Sequence, residues 1–155
     1  MSSASGPASD GGSFAEAFRL TDGSTAIGVW DASGHGQGAT ERTRLVRTIQ
    51  FTVDGRHLHL PPTGPALGIF EDAEFREDIV RFAFGDILVV VTAGITDARP
   101  LNSQTEFFGS RNLCALFQRS QAKGAITASS LISRTRAYSD GRLDNDAAAL
   151  VARFA

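Results

Sequence analysis

The chain has one cysteine, one lysine and no apolar run of membrane length, and each shortage closes off a class of function. Cys114 alone forms no internal disulfide, so no disulfide framework holds this fold and nothing points to an oxidising compartment. The longest aliphatic run, Ile87 to Val91, is far too short for a membrane span. Residues 1–12 are small and polar and lack the basic and apolar regions of a secretory signal. These shortages read as a soluble, cytoplasmic protein. Excess positive charge is also missing. With 15 Lys+Arg against 17 Asp+Glu, the formal net charge is −2, and no global field exists to hold nucleic acid or acidic lipid. Lys123 is the sole lysine, a bias that reads as genome composition rather than as a phosphate-binding design. What remains is 155 residues, 42% hydrophobic and 21% charged, which suits one domain with a proper core and excludes wholesale disorder.

Along the chain, residues 1–12 read as a flexible leader and residues 13–155 as the domain. Phe14 to Leu20 and Thr25 to Trp30 flank Thr21-Asp22-Gly23-Ser24, an Asp-Gly turn signal, and together predict a β-hairpin. A glycine-rich loop, Asp31 to Gly38, follows. Ala39 to Gln50 carries Leu45, Val46 and Ile49 among Arg42, Arg44 and Arg47, the spacing of a short amphipathic helix with a solvated basic face. Phe51 to Val53 and His57 to Leu60 about Asp54-Gly55 predict a second hairpin, and Pro61 to Pro65 a rigid loop. Ile79 to Phe84 alternates apolar and polar residues. Gly85-Asp86 is a turn before the strongest buried strand, Ile87 to Thr92. Arg111 to Gln121 and Ala125 to Tyr138 show helical spacing, Asp140-Gly141 turns the chain, and Ala147 to Phe154 reads as a closing strand. The pattern is α+β.

Asp31-Ala32-Ser33-Gly34-His35-Gly36 is the stretch richest in chemistry. Asp31, Ser33 and His35 are the residue types of a hydrolytic triad, but residues two apart on an extended loop point apart and no nucleophile elbow is present. Gly34, Gly36 and Gly38 suggest a dinucleotide loop, but the third glycine is misplaced and no βαβ unit follows. A carboxylate fixed at a strand end, followed by glycines that let the backbone turn close, fits a cation holder. Elsewhere, His57 and His59 alternate on one strand face at a spacing that suits zinc, but with no third ligand nearby in sequence they read as surface histidines. Trp30 and Cys114 read as core.

The segment Asp31-Ala32-Ser33-Gly34-His35-Gly36 resembles the signature of the metal-dependent PPM (PP2C-type) protein phosphatases, in their bacterial SpoIIE/RsbU-like branch. Four further stretches agree in order. Gly11-Gly12-Ser13-Phe14 is similar to a Gly-Gly-Asp-Phe/Tyr opening, and Pro65 to Ile69 to a Pro-Leu-Gly segment. Gly85 to Arg99, with Phe108-Gly109 after it, resembles Gly-Asp-x-Leu…Thr-Asp-Gly-Val-Thr-Glu-Ala-Arg. Asn145 to Arg153 resembles Asp-Asp-x-x-x-Leu-Val-x-Arg. The resemblance implies a PP2C-like β-sandwich flanked by helices. It also implies two Mn²⁺ or Mg²⁺ ions that activate a water against a phosphoserine or phosphothreonine, with no catalytic side chain beyond that water. Asp31 and the Ala32 carbonyl would then contact metal, with Gly34, His35 and Gly36 behind them.

Two departures qualify the likeness. The family's other three acidic positions are Ser13, Ala93 and Asn145 here, leaving one carboxylate for two dications that need several anionic oxygens. Asp10, Glu16, Asp97, Asp144 and Asp146 are the acids near enough in sequence to substitute, although strand alternation would turn Asp144 and Asp146 away from Asn145. Between Gly36 and Pro61 the family's two long helices shrink to one helix and one hairpin, so part of the helical layer is missing. The uncovered sheet face is then where a partner or a second copy would sit. The departures favour a weak or inactive phosphatase, a pseudophosphatase that binds a phosphoprotein or regulatory partner. The other readings are an active Mn/Mg-dependent serine/threonine phosphatase acting on an anti-sigma-factor antagonist, and a decayed fragment without selected function.

Overall fold

The computed structural model describes residues 2–5, 13–31, 47–52, 54, 56–65, 70–121 and 126–155. In chain order the described elements are β1 (Ser2–Ser5), β2 (Ser13–Arg19), β3 (Thr25–Asp31), β4 (Arg47–Phe51), β5 (His57–Leu60), β6 (Ile87–Val91), α1 (Ala93–Thr96), α2 (Gly109–Gln121), α3 (Ala128–Tyr138) and β7 (Ala147–Arg153). The sheet is built around β6, whose Ile-Leu-Val-Val-Val run is stiff at χ1 and suits a pleated interior. β4 and β7 flank it antiparallel, β5 and β1 form the edges, and the order is β1-β7-β6-β4-β5.

Register decides the faces. Ile49 pairs with Val89, Val89 with Val151 and Val91 with Ala149, so these side chains share one face. That face is buried under Leu113 and Phe117 of α2, Leu131 and Ile132 of α3, and Ile95 of α1. The rings of Phe51 and Phe117 stack with centroids 4.5 Å apart, tying α2 to β4. On the opposite face Val90, Ala148 and Leu150 are also buried. The hairpin of β2 and β3, a separate two-stranded sheet, contacts β1 and β7 without hydrogen-bonding into their sheet. The chain is therefore an α+β fold of helices, a five-stranded antiparallel sheet and a small second sheet. No helix among the described residues is long and apolar enough to cross a membrane.

Turn chemistry agrees with the sequence. Gly23 takes φ +87° between β2 and β3, and the Asp22 carboxylate accepts from the Ser24 amide at 2.8 Å and hydroxyl at 2.6 Å. Gly85 takes φ +90° before β6. Asp140 and Gly141, both at positive φ, reverse the chain after α3. α3 begins with a capping box in which the Thr127 hydroxyl and the Ser130 amide pair at 3.2 Å and the Thr127 amide reaches the Ser130 hydroxyl at 3.0 Å.

Two expectations are corrected. Ser2–Ser5, placed in a flexible leader, is an edge strand paired with Leu150 to Ala147, which satisfies backbone groups on the outer side of β7. Residues 47–50, placed at the end of a helix, are strand. Thr48 to Phe51 insert between β5 and β6, where ladder bonds on both sides outweigh the helical spacing of Leu45, Val46 and Ile49. Ile79 to Phe84, despite their alternation, form no regular element, and Ile79 is 94% exposed. The rest of the leader (1 and 6–12), the earlier part of the expected helix (39–46), the Asp31 loop beyond residue 31 and residues 66–69 lie outside the described residues.

Candidate functional site

The backbone gathers the four positions of the implied metal site into two pairs. Ser13 and Asp31 face each other as the closing register pair of the β2–β3 ladder. Ala93 opens α1 directly after β6, and Asn145 lies two residues before β7. The second pair is held by Thr92 and Gly94. The buried Thr92 hydroxyl donates to the Asp146 carbonyl at 3.2 Å and accepts from the Ala148 amide at 3.0 Å. The Thr92 amide donates to the Ala148 carbonyl at 3.1 Å. Gly94 lies so close to β7 that a Cβ there would overlap the Asp146 carbonyl group. Glycine after position 93 is thus a packing requirement that brings the end of β6 onto the start of β7. The β2–β3 hairpin that carries Ser13 and Asp31 rests against that same β7. Ala32, Gly34, His35 and Gly36 lie outside the described residues.

These donors do not fit a pair of hard dications. Of the four positions only Asp31 is anionic. Ala93 is 4% exposed and offers a methyl group where the likeness calls for a carboxylate. Of the neighbouring acids, Asp144, Asp97 and Glu16 are engaged or directed elsewhere. Asp144 is held by Arg99 at 3.2 Å and Arg142 at 3.4 Å. Asp97 caps α1 and accepts from the Thr96 hydroxyl at 3.0 Å. Glu16 is three residues beyond Ser13 in the strand, so it belongs to the opposite pleat face, and it is exposed. Asp10 lies outside the described residues. The expectation that strand alternation orients Asp144 and Asp146 is also corrected, because both precede β7. For Asp144 the two arginines set the direction instead.

A different carboxylate is buried for structural reasons. Asp86 is 2% exposed and accepts from Gln50 Nε2 at 2.8 Å and from the Ala83 amide at 3.0 Å. The Gly85-Asp86 pair of the sequence motif is therefore a turn anchor, with Gln50 as its partner across the β4–β6 ladder. Sequence reasoning missed Gln50, because it was placed on a helix.

The fold also unites three residues that the sequence kept apart. His57 and His59 on β5 and Cys114 on α2 bring one ligand atom each to within 4.8 Å of one another. Burial pushes the Cys114 thiol above its ordinary value. The histidines were read without a third ligand because Cys114 is distant in the chain. The helical face shared by Cys114 and Phe117 was visible, but the docking of that face beside β5 was not.

Comparison with curated proteins gives no match, and comparison with solved structures gives none either. One family model matches residues 50–155, a span that contains Ala93 and Asn145 and begins after the Asp31 signature. That model is Stage II sporulation protein E (SpoIIE), and because it covers about two thirds of the chain, the protein belongs to the SpoIIE family, the PPM-type phosphatase domains that the Asp31 motif resembles.

Proposed function

We propose that this SpoIIE-family domain acts as a pseudophosphatase that binds a regulatory phosphoprotein, such as an anti-sigma-factor antagonist, without turning it over efficiently. The observation that supports it most is the donor set. Asp31 and Ser13 pair at one strand end, Ala93 is buried, and its neighbour Gly94 packs on the Asp146 carbonyl, while the four positions carry a single carboxylate between them. Two adjacent dications held by one negative charge leave most of their charge uncompensated, and they repel. The Ala32 carbonyl would add a neutral oxygen beside Asp31. The outer half of the β2–β3 hairpin, residues 16–25, is exposed on both faces and presents Phe18 and Leu20. This is apolar surface that a partner would cover.

The test combines Mn²⁺ calorimetry with a phosphatase assay on a phosphopeptide. The wild type should show no Mn²⁺-dependent turnover, while Ser13→Asp/Ala93→Asp/Asn145→Asp should gain Mn²⁺ binding. Two tight Mn²⁺ sites in the wild type, with turnover abolished by Asp31→Ala, would establish an active phosphatase instead. Failure of the triple variant to bind would defeat the placement of the four positions.

A further inference from the structure

We propose that His57, His59 and Cys114 form a binding site for a zinc-class cation that staples the edge strand β5 to helix α2. The inference is independent of the phosphatase reading, since β5 is the edge of the five-stranded sheet opposite to β1, whose side of the sheet carries the Ser13–Asp31 hairpin.

The geometry follows from register. His59 pairs with Ile49 and His57 with Phe51 across the β4–β5 ladder, so both imidazoles share the face that Ile49 and Phe51 turn towards the helices. Phe51 stacks on Phe117 of α2. Cys114 precedes Phe117 by three residues and so lies on the same side of that helix. The two imidazoles meet edge-on, with centroids 5.9 Å apart, and the ligand atoms of all three side chains fall within 4.8 Å of one another. In a tetrahedral zinc site, bonds of about 2.0–2.3 Å put neighbouring donors roughly 3.5 Å apart, so closure asks even the widest pair to approach by no more than about 1.3 Å. The exposed histidines supply that by rotating about their side-chain torsions.

The donor chemistry selects the ion. Two imidazoles and a thiolate suit Zn²⁺ and neighbouring borderline or soft metals, and they are poor ligands for Mg²⁺ and Mn²⁺. Three protein ligands leave a fourth position towards solvent, which water fills in such sites. The metal would also serve the fold. β5 is an edge strand of four residues whose side chains are mostly exposed, and a cross-link from its inner face to α2 would hold it in register. The thiol, protonated when buried without a cation, would lose its proton on binding.

The test uses the full chain with Co²⁺ as the spectroscopic stand-in and Zn²⁺ as the competitor. The expected result is one equivalent of Co²⁺ bound with a thiolate-to-cobalt charge-transfer band, displacement by Zn²⁺, and a rise in Tm with Zn²⁺. Cys114→Ala should abolish the band. His57→Asn/His59→Asn, which alters only exposed side chains, should abolish it with the fold intact and without changing the response to Mn²⁺. Each single histidine variant should lose at least the ~10–100-fold in affinity that a lost outer-shell partner already costs. No charge-transfer band in the wild type, or a band that survives in either the cysteine or the double-histidine variant, would overturn the site. If Cys114→Ala unfolds, the double-histidine variant decides alone.

Discussion

Gly94 is where the sequence motif and the packing meet. It follows Ala93, and its missing Cβ lets the turn after β6 lie on the Asp146 carbonyl. The obstacle to a side chain is backbone rather than the tip of a flexible side chain, so the neighbour cannot swing aside. Gly94→Ala should therefore destabilise the domain by about 1–3 kcal/mol, the range of a forced overpacking. A urea titration would measure it, and a variant as stable as the wild type would remove the close approach from the account. At this scale the sequence drew notice to Ala93, Gly94, Asn145 and Asp31 because each sits in an ordered motif, and the structure gives Gly94 a packing reason and Asp31 its register partner Ser13. It was silent on Gln50 and on the meeting of Cys114 with His57 and His59, because those contacts join residues 36 or more positions apart.

Elements were legible where local chemistry fixes them. The Asp22-Gly23 turn gave the first hairpin, the alternation of His57 to Leu60 gave β5, the helical spacing gave α2 and α3, and the Ile87–Val91 run gave the central strand. β1 and β4 were not legible. Ser2–Ser5 has no strand signal of its own and is a strand through its pairing with β7, while Arg47–Phe51 sits behind a helical pattern that the ladder overrides. The two hairpin turns share one device and so one pH response. Asp22 accepts from the Ser24 hydroxyl and then from its amide, and Asp54 accepts from the Thr52 hydroxyl and pairs with Arg56; in each case these bonds hold the carboxyl below its usual range. A lowered native value means that the stabilisation is full above the unfolded value of about 4 and fades as pH falls through the native one. Against Asp22→Ala/Asp54→Ala, the wild type should hold its advantage in urea midpoint at neutral pH and lose it in acid. An advantage that stays constant into the acid limb would mean that the charged carboxylates contribute nothing through these bonds.

At the scale of the whole molecule, the frame was more legible than its completeness. The α+β layering followed from strand and helix signals, and family membership followed from ordered motifs, the later ones inside the matched span 50–155. How much of the second sheet is covered was a question of tertiary packing, and no residue pattern answers it. Among the described residues that sheet is a single hairpin, and residues 16–25 are exposed on both of its faces. Phe18 is 47% exposed and Leu20 45%, side by side on one pleat face of the outer hairpin. Side chains placed this way contribute little to the stability of the isolated domain, but they form an apolar patch available to a partner or a second copy. Phe18→Ser/Leu20→Ser should change unfolding free energy by no more than about 0.5 kcal/mol, the usual scale for surface substitutions. The same change should lower binding of a hydrophobic dye and any self-association seen by light scattering. A large loss of stability would show that the hairpin tip is packed in solution, and unchanged dye binding would place the sticky surface elsewhere, on exposed Ile79 and Phe84. A loss of dye binding at constant stability would instead place the exposed apolar surface of the domain on the hairpin.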